Sequence, residues 1–156
     1  MSPDQIEKTS EHSIQSASFA WLNKAVRYGV EIANDMTSYT KEGLEANLLT
    51  KKIKPLTRLR TFHAIPNGTN LGNTEEERKI RGGRAKAEGV RKGVLDTFLP
   101  VGSQGFNGLY IEFKTKTGSM EPEQITFAQD VTEEGYHVEI ARSWRECAKI
   151  LTEYLD

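Results

Sequence analysis

Apolar residues recur at helical spacing near the start of the chain. From Ser10 onward they fall at intervals of three and four, which is typical of a helix with one buried face. The residues on that face are Ile14, Ala17, Phe19, Ala20, Trp21, Leu22 and Ala25. Residues 1–9 show no apolar period, and we expect them to form a loose tail.

The next part of the chain, residues 29–60, has a less regular pattern. Gly29 and Gly43 interrupt it, and the apolar residues of 44–53 fit a short amphipathic helix that ends before Pro55. We interpret 29–60 as a helical insertion. Residues 58–65 then alternate in type and precede the turn sequence Pro66-Asn67-Gly68, which predicts a strand entering a turn.

A helix start is predicted at Thr74, because a capping residue there is followed by three glutamates in the positive first turn. The helix should continue to about Glu88 despite Gly82-Gly83. A glycine inside a helix costs about 1 kcal/mol relative to alanine. The pair therefore indicates either a poor or kinked helix or a close approach of the backbone to a ligand.

The second half of the chain alternates between strand and helix patterns. Short apolar segments at 93–99 and 109–114 predict two strands separated by a glycine-rich turn. A helix is expected between Pro122 and Gly135, a strand at 136–141, and a last helix after the capping box of Ser143 and Glu146. This order predicts an α/β fold, with a small mixed β-sheet flanked by helices.

Length and composition fit one globular domain spanning 1–156. The chain is 37% hydrophobic and 28% charged. No apolar run approaches the roughly 20 residues of a membrane helix, and the N-terminus lacks a signal-peptide pattern. Cys147 is the only cysteine, which excludes an internal disulfide, argues against a structural zinc site and favours a reducing, cytoplasmic location.

Charge is distributed unevenly along the chain. The formal net charge is −1, which by itself argues against a general polyanion binder, but distribution matters more than the total. Acidic residues gather at 75–77 and 121–134, whereas one segment is strongly basic. That segment contains Arg78, Lys79, Arg81, Arg84, Lys86, Arg91 and Lys92 against the single acid Glu88.

Candidate chemistry lies on the two central predicted strands. Glu112 and Lys114 are two residues apart and therefore share one face of a strand, while Asp96 lies on the preceding strand. Two carboxylates beside a lysine suit Mg²⁺ or Mn²⁺ and phosphodiester hydrolysis. The lysine would orient or deprotonate the attacking water. The alternative is an ordinary solvated ion pair worth less than about 1 kcal/mol.

The ordered set of motifs resembles the VRR-NUC (virus-type replication-repair nuclease) family of the PD-(D/E)xK nuclease superfamily, in its stand-alone phage or bacterial form. The resemblance covers most of the chain outside 29–60 and depends on the combination of segments more than on any one of them. The matching segments are Glu11–Gln15, His63–Gly68, Lys86–Asp96, Gly108–Lys114 and Met120–Gln124.

The resemblance implies a role for each matching position. Asp96, Glu112 and the main-chain carbonyl of Phe113 would bind the metal, and Lys114 would be the catalytic lysine. Gln124 matches a glutamine near that lysine. Glu11 matches a first-helix glutamate that holds a metal-bound water or a second metal, although an ordinary surface acid is the alternative.

Two departures from the family pattern stand out. Leu95 replaces the proline that usually precedes the aspartate, and residues 29–60 form a longer connection than expected. The proline shapes the backbone without taking part in the chemistry, so its replacement leaves the expected site intact.

The resemblance also implies a restriction-endonuclease-like core and a metal-dependent DNA endonuclease. The expected substrate is branched, Holliday-junction-like DNA in replication, repair or recombination, cleaved by a homodimer. The basic residues would contact the phosphate backbone; they are Arg78, Arg81, Arg84, Lys86, Arg91, Lys92 and Lys116. Their alternative is a solvated basic face, and the alternative function is a non-catalytic DNA-structure binding module.

Overall fold

A computed structural model describes residues 1–66 and 73–156 of the chain. The α-helices in these ranges are α1 (Pro3–Ile6), α2 (Glu11–Tyr28), α3 (Val30–Asn34), α4 (Lys41–Thr50), α5 (Glu75–Ala87), α6 (Pro122–Glu133) and α7 (Trp144–Leu155). Short 3-10 helices occupy Met36–Tyr39 and Thr57–Thr61. The strands are β1 (His63–Ala64), β2 (Thr97–Leu99), β3 (Leu109–Phe113) and β4 (His137–Ala141).

The four strands form one mixed sheet in the order β1-β2-β3-β4. The β1–β2 and β2–β3 pairs are antiparallel, whereas β3 and β4 are parallel. Helix α6 provides the crossover that a parallel pair requires. Strand β3 is central and flanked on both sides, so the register of its residues decides which side chains reach each face of the sheet.

Alternation along β3 separates the main core from the candidate site. Leu109, Ile111 and Phe113 are fully buried in the hydrophobic core, to which α2 and α7 contribute Trp21, Leu22, Trp144 and Leu151, among other residues. Tyr110 and Glu112 point to the opposite face. There they contact Phe127 and Gln124 of α6. The sheet is therefore flanked by helices on both faces.

The prediction of a loose tail at residues 1–9 is wrong. Pro3–Ile6 form a helix, and Pro3 is buried. Asp4 accepts hydrogen bonds from the Trp144 ring (2.9 Å) and from Arg145, and Glu7 accepts one from the Trp144 backbone amide. The segment has no apolar period because polar contacts with a helix at the far end of the chain hold it in place.

Two predicted strands are shorter than their sequence patterns. Thr57–Thr61 form a 3-10 helix, so only His63–Ala64 of the predicted strand 58–65 pairs with β2. Residues 93–96 are not a strand, because Gly93 has a φ of +82° that turns the chain before Thr97. Asn67 and Gly68 of the predicted turn lie outside the described residues.

The remaining elements agree closely with the periodicity. The helix predicted from Thr74 is α5, which Thr74 caps through its side chain, at 3.1 Å from the Glu77 amide. Residues 29–60 contain α3, α4, the 3-10 helix Met36–Tyr39 and all but the last residue of the 3-10 helix Thr57–Thr61. None of the helices in residues 1–66 and 73–156 is both long and apolar enough to span a bilayer.

Candidate functional site

The two predicted carboxylates lie side by side at one end of the β2–β3 ladder. Thr97 pairs with Ile111, which places the preceding Asp96 beside Glu112. The backbone N–H of Asp96 donates to Oε2 of Glu112 at 3.1 Å. In return, the Phe113 amide donates to Oδ2 of Asp96 at 2.8 Å. The structure thus brings together carboxylates that are distant in sequence and fixes both through main-chain donors.

Lys114 and Glu112 form a buried ion pair. The ammonium Nζ lies 2.8 Å from Oε1 of Glu112, and the two side chains are only 7% and 1% exposed. Oε1 of Glu11, at the start of α2, lies 3.7 Å from the same ammonium. The interpretation of Glu112 and Lys114 as a solvated surface pair is therefore wrong, because the sheet and its helices exclude water from both groups.

Gln124 completes the contacts of the Glu112 carboxylate. Its Nε2 donates to Oε1 of Glu112, and its Oε1 accepts from the Glu121 amide at 2.9 Å. Gly93 allows α6 to approach this closely, because a Cβ at that position would lie 2.4 Å from the Glu123 carbonyl oxygen. The absence of a side chain at Gly93 therefore permits the observed position of the helix that carries Gln124.

The site shifts the pKa values of its buried pair. Burial raises the pKa of Glu112, and the charge of Asp96 raises it further, while the hydrogen bond with Lys114 opposes both. Burial alone would lower the pKa of Lys114. The hydrogen bond with Glu112, followed by the negative charges of Glu112, Glu11 and Asp96, outweighs burial and raises it. Lys114 is therefore held as a cation and can donate hydrogen bonds.

The oxygen donors at the site suit a hard divalent cation. A carboxylate offers about four lone-pair sites. Glu112 uses three of them, toward Asp96, Lys114 and Gln124. Asp96 Oδ1 accepts no hydrogen bond from the described residues. Within 1–66 and 73–156 there is no cluster of three or more His, Cys, Asp or Glu that could hold a metal. A cation here would depend on two carboxylates, a carbonyl and water, as Mg²⁺ commonly does.

The candidate DNA-contacting residues lie outside the carboxylate cluster. Those on α5 are exposed, as are Arg91, Lys92 and Lys116. At about 100° per residue, Arg81 and Arg84 are neighbours on the helix surface, whereas Lys86 lies about 160° from Arg84. The basic side chains therefore surround α5 and do not form one stripe. Lys92 reaches toward Glu123 of α6, at 3.9 Å.

One residue beside the site, Arg142, has no recognisable signal in the sequence pattern. Arg142 follows β4 and binds carbonyl groups of the turn that comes after Lys114. A single arginine after a strand has no distinctive spacing. Its contacts depend on the parallel pairing of β3 and β4, which only the fold reveals.

Comparison with known proteins relates the fold to one described domain. The chain matches no protein-family model and no curated protein. Among solved structures it is similar to a chain described as a VRR_NUC domain protein, with a TM-score of 0.59 and 17% sequence identity. The match covers 95% of this chain and 89% of that chain.

The similarity therefore extends over nearly the whole fold. It confirms the predicted class, a restriction-endonuclease-like α/β core with a small mixed sheet flanked by helices. It also supports the VRR-NUC resemblance that the motifs predict.

Proposed function

We propose that this protein is a metal-dependent DNA endonuclease that hydrolyses phosphodiester bonds. The observation that carries the proposal is the buried Glu112–Lys114 pair, in which Glu112 accepts a hydrogen bond from the backbone of Asp96, the residue before β2. Burying charges is costly unless they are paired and hydrogen-bonded. A site that retains them at the end of a sheet is a functional-site candidate on physical grounds. The fold of a VRR_NUC domain protein supports the same reaction class.

Each residue of the site has a proposed role in this reaction. Asp96, Glu112 and the Phe113 carbonyl would hold Mg²⁺ or Mn²⁺, and the bound cation would supply charge neutralisation at phosphate oxygens and activation of water. Lys114 Nζ, protonated beside Glu112, donates to the attacking water or to a phosphate oxygen as negative charge develops. The amide of Gln124 orients the Glu112 carboxylate. Glu11 keeps a second carboxylate near the ammonium.

We extend the proposal to branched DNA and a homodimer. A four-way junction presents paired strands, and a two-fold symmetric dimer would place one active site at each. Arg78, Arg81, Arg84, Lys86, Arg91, Lys92 and Lys116 would contact the phosphate backbone of the arms. Such contacts fix the register of the protein on DNA without reading its sequence.

A non-catalytic DNA-structure binding module is the second candidate. The observation that favours it is that the Glu112 carboxylate already accepts hydrogen bonds from three protein groups, on Asp96, Lys114 and Gln124. In such a protein the same cluster would stabilise the fold, and DNA would bind equally well with or without a divalent cation.

A cleavage panel separates the two functions. Labelled four-way junction, flap and linear duplex would be incubated with Mn²⁺, Mg²⁺ or EDTA, and binding would be followed in parallel by gel shift. We expect Mn²⁺- or Mg²⁺-dependent cleavage that is fastest on branched DNA and lost in Asp96→Ala and Lys114→Ala. The exposed Lys149→Ala serves as a charge-matched control that keeps activity. Binding without cleavage of any substrate would reject the endonuclease and support the binding module.

A further inference from the structure

Arg142 binds the main chain of the turn that follows the candidate catalytic lysine. Its Nη1 donates to the carbonyl oxygens of Thr115 and Gly118, the latter at 2.8 Å, and lies 3.5 Å from that of Lys116. Nη1 of Arg142 therefore contacts three carbonyl oxygens within the four residues 115–118. A charged donor makes stronger hydrogen bonds than a neutral one.

The backbone of Arg142 is itself held firmly. Its amide donates to Oε2 of Glu146 in the first turn of α7, at 2.6 Å. One residue earlier, the Ala141 carbonyl accepts from the Lys114 amide at 3.1 Å, which continues the parallel pairing of β3 and β4. The Arg142 side chain thus extends from a fixed point directly after β4 across the end of β3.

The turn bound by Arg142 adjoins the site. The Gly118 amide donates to the Thr115 carbonyl at 3.2 Å, which closes the turn. A Cβ at Gly118 would lie 3.4 Å from Oε1 of Glu11, and this same oxygen is 3.7 Å from Lys114 Nζ. Any displacement of the turn would therefore move the chain that follows Lys114 and the surface against which Glu11 lies.

The guanidinium makes no ion pair with a carboxylate in the part of the chain that the structure describes. Its hydrogen-bonded partners there are main-chain carbonyls. Neutralising a nearby acid is therefore not its main contribution. The contacts instead fix the path of a surface turn that would otherwise be among the more mobile parts of a domain.

We propose that Arg142 is a positioning residue of the active site, which holds the 115–118 turn so that Lys114 and Glu11 keep their relative placement. This inference rests on the proposed nuclease function. It assigns to Arg142 an effect on turnover without contact with DNA.

The test compares Arg142→Ala, Arg142→Lys and the matched control Arg145→Ala, whose guanidinium pairs with Asp4 on α1. Steady-state cleavage of a branched DNA would be measured with Mn²⁺. Supporting partners of metal-site groups typically contribute 10- to 100-fold. We expect Arg142→Ala to lower kcat by about 10-fold or more, with KM for DNA changed less than about twofold. Arg142→Lys should recover part of the loss, and Arg145→Ala should leave kcat unchanged.

A second measurement needs no catalysis. Backbone order parameters from ¹⁵N relaxation should fall in Arg142→Ala from about 0.85 to below about 0.6 for residues 115–118, and remain unchanged in α7.

A wild-type kcat in Arg142→Ala, or unchanged order parameters, would overturn the positioning role. If Arg142→Ala does not fold, Arg142→Lys provides the test. A reduced kcat in Arg142→Lys together with wild-type order parameters for residues 115–118 would reject the positioning role. Absence of cleavage by the wild-type protein would reject the proposed function alone, and the order parameters would still decide the role of Arg142 in the turn.

Discussion

The backbone amide of Asp96 donates to the side chain of Glu112, and the Asp96 side chain accepts from the amide that follows Glu112. These two hydrogen bonds connect the segment before β2 to the C-terminal end of β3. The Glu112 carboxylate is therefore oriented by the main chain of the residue before β2, and the Asp96 carboxylate by the main chain of β3. A change in strand register would separate both groups at once, since a slip of one residue moves a side chain to the other face.

The Glu112–Lys114 pair should show strong energetic coupling. Removing one partner of a buried ion pair leaves an uncompensated charge and typically costs about 3–5 kcal/mol. We expect Glu112→Gln and Lys114→Met each to lower the free energy of unfolding by about 3 kcal/mol. The double variant should lose less than the sum of the two, by at least about 1 kcal/mol. Urea unfolding followed by circular dichroism measures the cycle, and additive losses would show that the pair is not coupled.

Gly93→Ala should destabilise the protein more than Gly89→Ala. Both glycines have positive φ, +82° and +91°, but only Gly93 has a neighbouring backbone against the place of a Cβ. The left-handed conformation alone costs an alanine about 1–2 kcal/mol. Overpacking against α6 adds about 1–3 kcal/mol in Gly93→Ala. Thermal and urea unfolding would measure both variants, and equal losses would contradict a close contact with Glu123.

Gln124→Ala should reduce cleavage more than stability. The variant removes the amide that holds Glu112 and one helix-terminal hydrogen bond, which is worth about 1 kcal/mol. Loss of an outer partner of a metal-ligating group lowers activity by about 10- to 100-fold. Cleavage rates and unfolding curves would be compared with those of Gln129→Ala, an exposed glutamine on the same helix. Equal activity of the two variants would remove Gln124 from the site.

Cys147 should be inert in the folded protein. The thiol is fully buried, and burial raises its pKa to about 12. Since the thiolate is the reactive form, labelling by a thiol reagent at pH 8 should be slow and should accelerate strongly in urea. Absorbance of the released thiolate from a disulfide reagent would follow the reaction. Rapid labelling without denaturant would show that α7 opens locally.

The basic residues of α5 should contribute to the salt dependence of DNA binding. Each phosphate neutralised on duplex DNA changes the slope of log K against log salt by about 0.9. The double variant with Arg81→Gln and Arg84→Gln should therefore make this slope less steep by up to about twice that amount. Fluorescence anisotropy at several salt concentrations measures the slope, with the exposed Lys149→Gln as control. An unchanged slope would exclude Arg81 and Arg84 as phosphate contacts.

Local pattern was sufficient for most helices and for β3. The 3.6-residue period marks α2, and the capping residues Thr74 and Ser143 mark the starts of α5 and α7, because these signals lie within a few residues of one another. The sequence pattern predicts strands at 93–99 and 58–65 that are longer than the strands in the structure. The positive φ of Gly93 and the 3-10 helix Thr57–Thr61 depend on neighbours that are remote in sequence.

The sequence alone also determined which residues are candidates for the site, because Asp96, Glu112, Lys114 and Gln124 carry recognisable chemistry in a recognisable order. Only the tertiary structure decided that Glu112 and Lys114 are buried together, that residues 1–9 are anchored to α7, and that Arg142 reaches the 115–118 turn. The physical reason is that burial and cross-strand contacts are properties of packing between distant segments. Local spacing records which face a side chain occupies, but the partner on that face is set by the sheet register and by the helices that cover it.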